Sequence, residues 1–200
     1  RPAISIRHLI NPEHKRVVLW DNNILGESHW LDVISELKEL RLEVDFNQGL
    51  DARFINEKVA EALKGLKMPI VRIAYDFPKI GKLVKRAIDL LDAAGFYRRN
   101  IVSYVLFNYT DTPEDLFHRV SDLLEWGITA YPMRYQPMSG PYALTKDSYI
   151  APAWTQEQLN MVAKARRVIG YGGAFPPYEG LRQKFVEAST FEEAFGLRPG

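Results

Sequence analysis

The stretch Ile70-Val71-Arg72-Ile73-Ala74-Tyr75-Asp76 (IVRIAYD) shows the pattern that decides the fold class. A short apolar run rich in β-branched residues ends in an aspartate, and a segment with apolar residues three and four positions apart follows it. Strand and helix signals that alternate in this way predict an α/β fold with a parallel sheet. The five predicted strands are Arg16–Asn23 (RVVLWDNN), Leu42–Gln48 (LEVDFNQ), Ile70–Asp76, Ile101–Asn108 (IVSYVLFN) and Ile128–Gln136 (ITAYPMRYQ).

Helix boundaries are marked between these strands. Thr112-Pro113-Glu114-Asp115 combines a capping hydroxyl, a proline and two acids, which predicts a helix that begins there and runs to about Trp126. Gly95 and Gly127 lie where a helix should end in a left-handed residue before the next strand.

The rhythm changes after Met138. Residues 139–153 contain Gly140, Pro141 and Pro152, which predicts an irregular surface segment. Helices are expected at Thr155–Ile169, Leu181–Glu187 and Phe191–Phe195. We therefore expect two parts, residues 1–138 with the strands and residues 139–200 as a loop and helical extension packed on them.

Composition and charge exclude several classes of protein. Hydrophobic residues make up 46% of the 200 residues and charged residues 26%, as in an ordinary folded domain. Lys and Arg (26) nearly balance Asp and Glu (25), so nucleic-acid binding is disfavoured. No apolar run reaches the ~18 residues of a spanning helix, and no signal peptide is evident, so we expect no membrane association and a cytoplasmic location. The four histidines lack metal-ligand spacing, and no metal ligand is predicted.

Each predicted strand becomes polar at its carboxyl end. In α/β sheets and barrels the site is built at these ends, because the following loops and helix termini converge there. Ordinary turn composition is the alternative explanation for any single strand. The segment Asn47–Arg53 (NQGLDAR) could likewise orient a ligand or cap the next helix. The polar ends contain Asp21, Asn22 and Asn23; Asp45, Asn47 and Gln48; Asp76; Asn108; and Arg134 with Gln136.

Alternation along the strands places charged residues on one face of the sheet. Glu43, Asp45 and Asn47 share a face opposite Leu42, Val44 and Phe46, and Arg72 shares its face with Asp76. Since buried charges need partners, Arg72 should meet a carboxylate of a neighbouring strand. The pattern predicts a polar lumen for a substrate, lined by Asp45, Asn47, Gln48, Arg72 and Gln136. The alternative is that the inward-facing charges pair among themselves.

Five segments, in order, resemble the core of radical S-adenosylmethionine (radical SAM) enzymes. They are LWDNN (19–23), VDFNQGLDAR (44–53), IVRIAYD (70–76), YVLFNYTDTPED (104–115) and PMRYQPM (132–138). The resemblance implies strands two to six of a partial (β/α)6 TIM-like barrel, with the first strand missing. It also implies reductive cleavage of S-adenosylmethionine by a 4Fe-4S cluster, which yields a 5′-deoxyadenosyl radical. The implied partners are a small-molecule or side-chain substrate and an electron donor such as flavodoxin or ferredoxin.

The resemblance also implies cofactor-binding residues. Asp21, Asn22 and Asn23 lie where the family has a Gly-Gly-Glu segment that holds the methionyl group, although the residue types differ. Asp76 lies where polar residues reach the ribose. Asn108 follows the strand that supports the adenine, and Met133 and Arg134 lie on the sixth strand, which contacts adenine.

One departure from the family pattern concerns the cluster. The sequence has no cysteine, so the family's CxxxCxxC loop has no counterpart and a thiolate-held cluster cannot form from these residues. We expect the first strand and its cluster loop to precede Arg1, the alternative being a degenerate relative that kept the barrel. Two other functions stay open: a binding or regulatory domain, and a cofactor-independent lyase or isomerase with Asp45 or Asp76 as base and Arg72 or Arg134 as anion clamp.

Overall fold

The computed structural model describes residues 5–11, 13–21, 23–143 and 145–197, and it shows a mixed α/β fold. Every predicted strand is confirmed. Each observed strand is shorter than the predicted one, because the last residues of the prediction lie outside it. The strands are β1 (Arg16–Leu19), β2 (Glu43–Phe46), β3 (Val71–Ala74), β4 (Ile101–Phe107) and β5 (Thr129–Arg134). The helices are α1 (Trp30–Leu40), α2 (Glu57–Lys64), α3 (Gly81–Ala93), α4 (Pro113–Glu125), α5 (Gln156–Val168), α6 (Glu179–Glu187) and α7 (Phe191–Phe195).

The strands form two small sheets. In the two-stranded sheet, β1 and β2 run parallel, with Arg16 opposite Glu43 and Val18 opposite Asp45. The three-stranded sheet has the order β3-β4-β5. The prediction of parallel strands is confirmed, whereas closure of these sheets into a partial barrel stays part of the proposal below.

The chain divides into two compact units. The first unit comprises Arg1–Ala74 and Lys82–Val102, and the second comprises Tyr75–Gly81 and Ser103–Gly200. The division into domains predicted at residue 138 stays a prediction.

The core of the first unit follows the alternation of β2. Val44 and Phe46 are buried, as predicted, and the inner face of α1 covers its side of the core with Ile34 and Leu37. α1 ends at Arg41, which has a left-handed backbone (φ 53°). The buried side chains of β2 thus point away from the face that holds Asp45.

The second unit is organised around α4. The predicted start is confirmed, because Thr112 accepts from the N–H of Asp115 while the Asp115 carboxylate accepts from the N–H of Thr112. Gly127 has φ 79° after the helix, also as predicted. The C-terminal helices pack on α4 through an aromatic core that includes Phe117, Phe175, Phe185, Phe191 and Phe195.

Within the residues that the structure describes, no helix has the length and apolar character needed to cross a membrane.

Candidate functional site

The predicted site residues fall in both units, and in the first unit the best-defined group centres on Asp45. This carboxylate is 6% exposed. It accepts from Nη2 of Arg16 at 2.7 Å and forms a close ion pair with Nη1 of Arg72. The predicted pairing of Arg72 with a carboxylate of a neighbouring strand is therefore confirmed. A cleft of ≈160 Å³ adjoins these three side chains.

The other predicted residues of the first unit are more exposed. Asp21 is exposed, and its Oδ1 accepts from the backbone N–H of Asn23 at 2.8 Å, a local turn. Asn22 lies outside the described residues. Asn23 Oδ1 is buried and has no hydrogen-bond partner among the described residues. Asn47 is half-buried and Gln48 is exposed.

The polar segment after β2 shapes its own turn. Gly49 adopts φ 86°, and the N–H of Leu50 donates to the carbonyl of Arg72 at 2.7 Å. Asp51 accepts from the backbone N–H of Arg53 at 3.0 Å and pairs with its guanidinium at 2.6 Å. Asp51 therefore caps the short 3-10 turn Ala52–Phe54, whereas the next helix, α2, is capped by Asn56.

In the second unit, the residues that follow β3 and the carboxyl end of β4 both contact Arg119. The Oδ1 atom of Asp76, just after β3, accepts from the backbone N–H of Leu106 in β4 at 3.2 Å. Arg119, on α4, is completely buried and reaches the same place. Its Nη1 atom donates to three backbone carbonyls, those of Tyr75 (3.0 Å), Asp76 (3.0 Å) and Leu106 (2.8 Å).

The charge of Arg119 is matched by Asp111. The Nη2 atom of Arg119 contacts Oδ2 of Asp111 at 2.5 Å, and Nε donates to the carbonyl of Asp115 at 3.0 Å. The indole N–H of Trp154 donates to the carbonyl of Asp111 at 3.0 Å. Burial raises the pKa of Asp111 and lowers the pKa of Arg119, because each charge has lost water. Their contact offsets that loss, so the two form a buried ion pair.

Asn108, the first residue after β4, has a left-handed backbone conformation, and both the oxygen and the nitrogen of its side-chain amide form hydrogen bonds. It is completely buried and has φ 64°, a region that non-glycine residues rarely adopt. Its Oδ1 accepts from the N–H of Ala151 at 2.9 Å. Its Nδ2 donates to the carbonyls of Tyr149 at 3.0 Å and Tyr135 at 3.3 Å. Asn108 therefore ties the end of β4 to the segment that follows β5.

The predicted residues at the end of β5 contact that same segment. The Nη2 atom of Arg134 donates to the carbonyls of Asp147 and Tyr149, both at 2.8 Å. The Nε2 atom of Gln136 donates to the carbonyl of Thr145 at 3.1 Å. Two buried atoms, Nε of Arg134 and Oε1 of Gln136, have no partner among the described residues. Met133 is 42% exposed.

Sequence reasoning missed Arg119, the partner of Asp111. A signal for Arg119 was present, because it lies three residues after Leu116 and four before Leu123 in the apolar stripe of α4. A charged residue in such a stripe must find a buried partner. Asp111 lies in the segment 104–115 that carries the family resemblance, but its pairing with Arg119 was not predicted.

The side chains described above can be tested for whether they could bind the cofactors that the family resemblance implies. A 4Fe-4S cluster does not fit these residues, since there is no cysteine and the described chain holds no group of three His, Asp or Glu side chains that could bind a metal. For a nucleoside the chemistry does fit, because an aspartate at the end of a parallel strand, such as Asp76, can accept from ribose hydroxyls.

Comparisons with known proteins support the fold. No family model matches the chain, and no curated protein matches its sequence. A solved structure, coproporphyrinogen III oxidase (HemN) from Escherichia coli, described as a radical SAM enzyme, is similar over 79% of this chain with a TM-score of 0.50 and 14% identity. The chain spans 43% of that protein. This likeness supports a radical-SAM-like fold.

Proposed function

We propose that this chain is the core of a radical SAM enzyme and binds S-adenosylmethionine for reductive cleavage to a 5′-deoxyadenosyl radical. The observation that carries the proposal is the likeness of its fold to HemN over 79% of the chain. The partial barrel is part of the same proposal. A 4Fe-4S cluster belongs to it too, but its ligands have to come from outside these 200 residues, because they include no cysteine.

The second unit would bind the adenosyl part of the cofactor. Asp76 would accept from the ribose, while Asn108, Met133 and Arg134 would support the adenine. The buried Arg119–Asp111 pair keeps the ends of β3 and β4 in place, so these groups need little rearrangement when a ligand binds. The electron donor and the substrate, a small molecule or an exposed side chain, are proposed by family likeness alone.

For the first unit we keep the predicted assignments as proposals. Asp21, Asn22 and Asn23 would serve the methionyl group, and the residues for the substrate would be Asp45, Asn47, Gln48 and Arg72. In the second unit, Gln136 keeps its predicted assignment to the substrate as a proposal.

Equilibrium dialysis with labelled S-adenosylmethionine tests the proposal. The chain should bind it saturably, and Asp76→Asn should weaken binding about tenfold, the loss of one charge-assisted hydrogen bond to a hydroxyl. Asp32→Asn is the matched control, because Asp32 is exposed on α1 and is not one of the proposed site residues. Absence of saturable binding, or equal affinity of the Asp76→Asn and parent proteins, would contradict the proposal.

The second candidate function is a cluster-free binding or regulatory domain, and the absence of cysteine favours it. Such a domain would bind a ligand without forming 5′-deoxyadenosine, even when expressed from the complete natural reading frame. A lyase or isomerase with Asp45 as base receives no support, since both carboxylate oxygens of Asp45 contact guanidinium groups.

A further inference from the structure

Arg119 joins four stretches of the chain, and the most distant in sequence, Tyr75 and Asp76 after β3, precede it by 44 and 43 residues. It lies on α4, and its guanidinium donates to the end of β3, to β4, to the β4–α4 loop and to the first turn of its own helix. All five of these hydrogen bonds lie between 2.5 and 3.0 Å. A buried guanidinium is costly unless it is paired and hydrogen-bonded. Here it is paired with Asp111, and each of its three nitrogens donates to at least one acceptor.

The contacts converge on one particular hydrogen bond. The Asp76 side chain accepts from the N–H of Leu106, and the backbone carbonyls of these same two residues both accept from Nη1 of Arg119. One nitrogen atom therefore holds the backbone at both ends of the bond that orients the Asp76 carboxylate. Asp111 in turn holds the other side of the guanidinium.

A lysine cannot reproduce this arrangement. The guanidinium offers donors from three nitrogens in a rigid plane, whereas an ammonium has three donors on one atom. Contacts to Asp111, to Asp115 and to the strand carbonyls at the same time require the planar group.

We infer that Arg119 is the positioning residue of this site: it fixes the Asp76 carboxylate for hydrogen bonding to the ribose of the cofactor. The role in cofactor binding rests on the proposed function. The role in orienting Asp76 rests only on the contacts above, and the two can be tested separately.

The experiment compares Arg119→Lys with Val162→Ala. Val162 is completely buried on α5, so its truncation lowers stability without touching Arg119 or Asp76. Three quantities are measured: unfolding by urea, hydrogen exchange of the Leu106 amide, and the Kd for S-adenosylmethionine. Arg119→Lys should speed Leu106 exchange at least tenfold beyond the change caused by its lower global stability and should weaken binding at least tenfold. Val162→Ala should change Leu106 exchange only as far as global stability falls, and should leave the Kd unchanged.

Asp111→Asn provides a second variant in case Arg119→Lys does not fold. Its amide oxygen still accepts from Nη2 but no longer neutralises the guanidinium, so Leu106 exchange should again rise beyond the global change. Leu106 exchange that follows global stability alone, in whichever variant folds, would overturn the positioning role. If the parent protein binds no S-adenosylmethionine, the proposed function fails, and Leu106 exchange still decides whether Arg119 orients Asp76.

Discussion

Asn108 and Arg134 donate to the same acceptor, the carbonyl oxygen of Tyr149, at 3.0 and 2.8 Å. The two donors stand at the carboxyl ends of β4 and β5, so one backbone oxygen joins these ends. The segment that supplies it contains little regular structure and is largely exposed. Side chains at the strand ends therefore hold this segment, since its described residues form no helix or strand.

This arrangement makes Asn108 sensitive to substitution. Asn108→Ala removes three hydrogen bonds and puts alanine at φ 64°, a left-handed conformation that asparagine tolerates better, so the free energy of unfolding should fall by about 2–4 kcal/mol. Asn108→Gly should lose less, because glycine accepts this backbone conformation. Urea denaturation measures both. Asp147→Gly is the control, since Asp147 has φ 61° but is exposed, and it should change stability by under about 1 kcal/mol. Equal losses in Asn108→Ala and Asp147→Gly would contradict the expectation.

The ion pairs of Asp45 predict that removing the Asp45 carboxylate costs more stability than removing the Arg16 guanidinium. Asp45→Ala leaves Arg72, whose side chain is only 17% exposed, without a counter-charge and should cost about 3 kcal/mol of unfolding free energy. Arg16→Ala should cost under about 1 kcal/mol, because the Arg16 side chain is 55% exposed and Arg72 still neutralises Asp45. Chemical denaturation of the two variants checks the order. The same cost for both would show that Asp45 and Arg72 do not form a buried pair.

Gly81, the first residue of α3, packs closely on Tyr75. A β-carbon at Gly81 would lie 2.4 Å from the hydroxyl oxygen of Tyr75, which donates to Asp122 at 2.8 Å. Gly81→Ala should lower the free energy of unfolding, evaluated at the parent's Tm, by about 1–3 kcal/mol. The reason is that the Tyr75 ring is buried and has little room to move away from the new β-carbon. Gly180→Ala is the control, since it lies in α6 with open space around it and should be neutral or stabilising. Adding Tyr75→Phe to Gly81→Ala should recover part of the loss. A Gly81→Ala single variant with the same Tm as the parent protein would show that Gly81 does not pack closely on Tyr75.

Asp122 should make stability depend on pH. Burial raises the pKa of Asp122 above its ordinary 3.8; Tyr75 and His118 oppose this shift, and Glu125 adds to it. A raised carboxyl pKa means that the folded state binds the proton more readily, so this group's contribution is greatest at low pH and is lost as pH rises through the folded pKa. Relative to Asp122→Asn, the parent protein should therefore gain stability as pH falls from 7 toward 4. Parallel Tm curves for the two proteins over that range would contradict the shift.

The strands could be predicted from the sequence more completely than the hydrogen bonds and ion pairs of the candidate site. Alternation in β2 identified Val44 and Phe46 as core and Asp45 as a charge on the opposite face, and the need to pair buried charges led to Arg72. These predictions rest on short-range periodicity, which a sequence displays directly.

The rest of the site depends on long-range geometry. Arg134 and Gln136 were predicted to face ligands, yet the structure shows them donating to backbone carbonyls of residues 145–149. Every residue has a carbonyl, so no side-chain pattern could identify these acceptors. Arg119 was detectable as a charge in an apolar stripe, but its acceptors at Tyr75 and Leu106 were not.

We propose that this chain is the core of a radical SAM enzyme, and one experiment addresses that proposal directly. The complete natural reading frame that encodes these residues is expressed, and the protein is reconstituted anaerobically with iron and sulfide. Bound iron, acid-labile sulfide and 5′-deoxyadenosine formed from S-adenosylmethionine under reducing conditions are then measured. We expect iron and sulfide in equal amounts and formation of 5′-deoxyadenosine, with neither found for residues 1–200 alone. A complete protein that retains no iron and forms no 5′-deoxyadenosine would show that the proposed function is wrong.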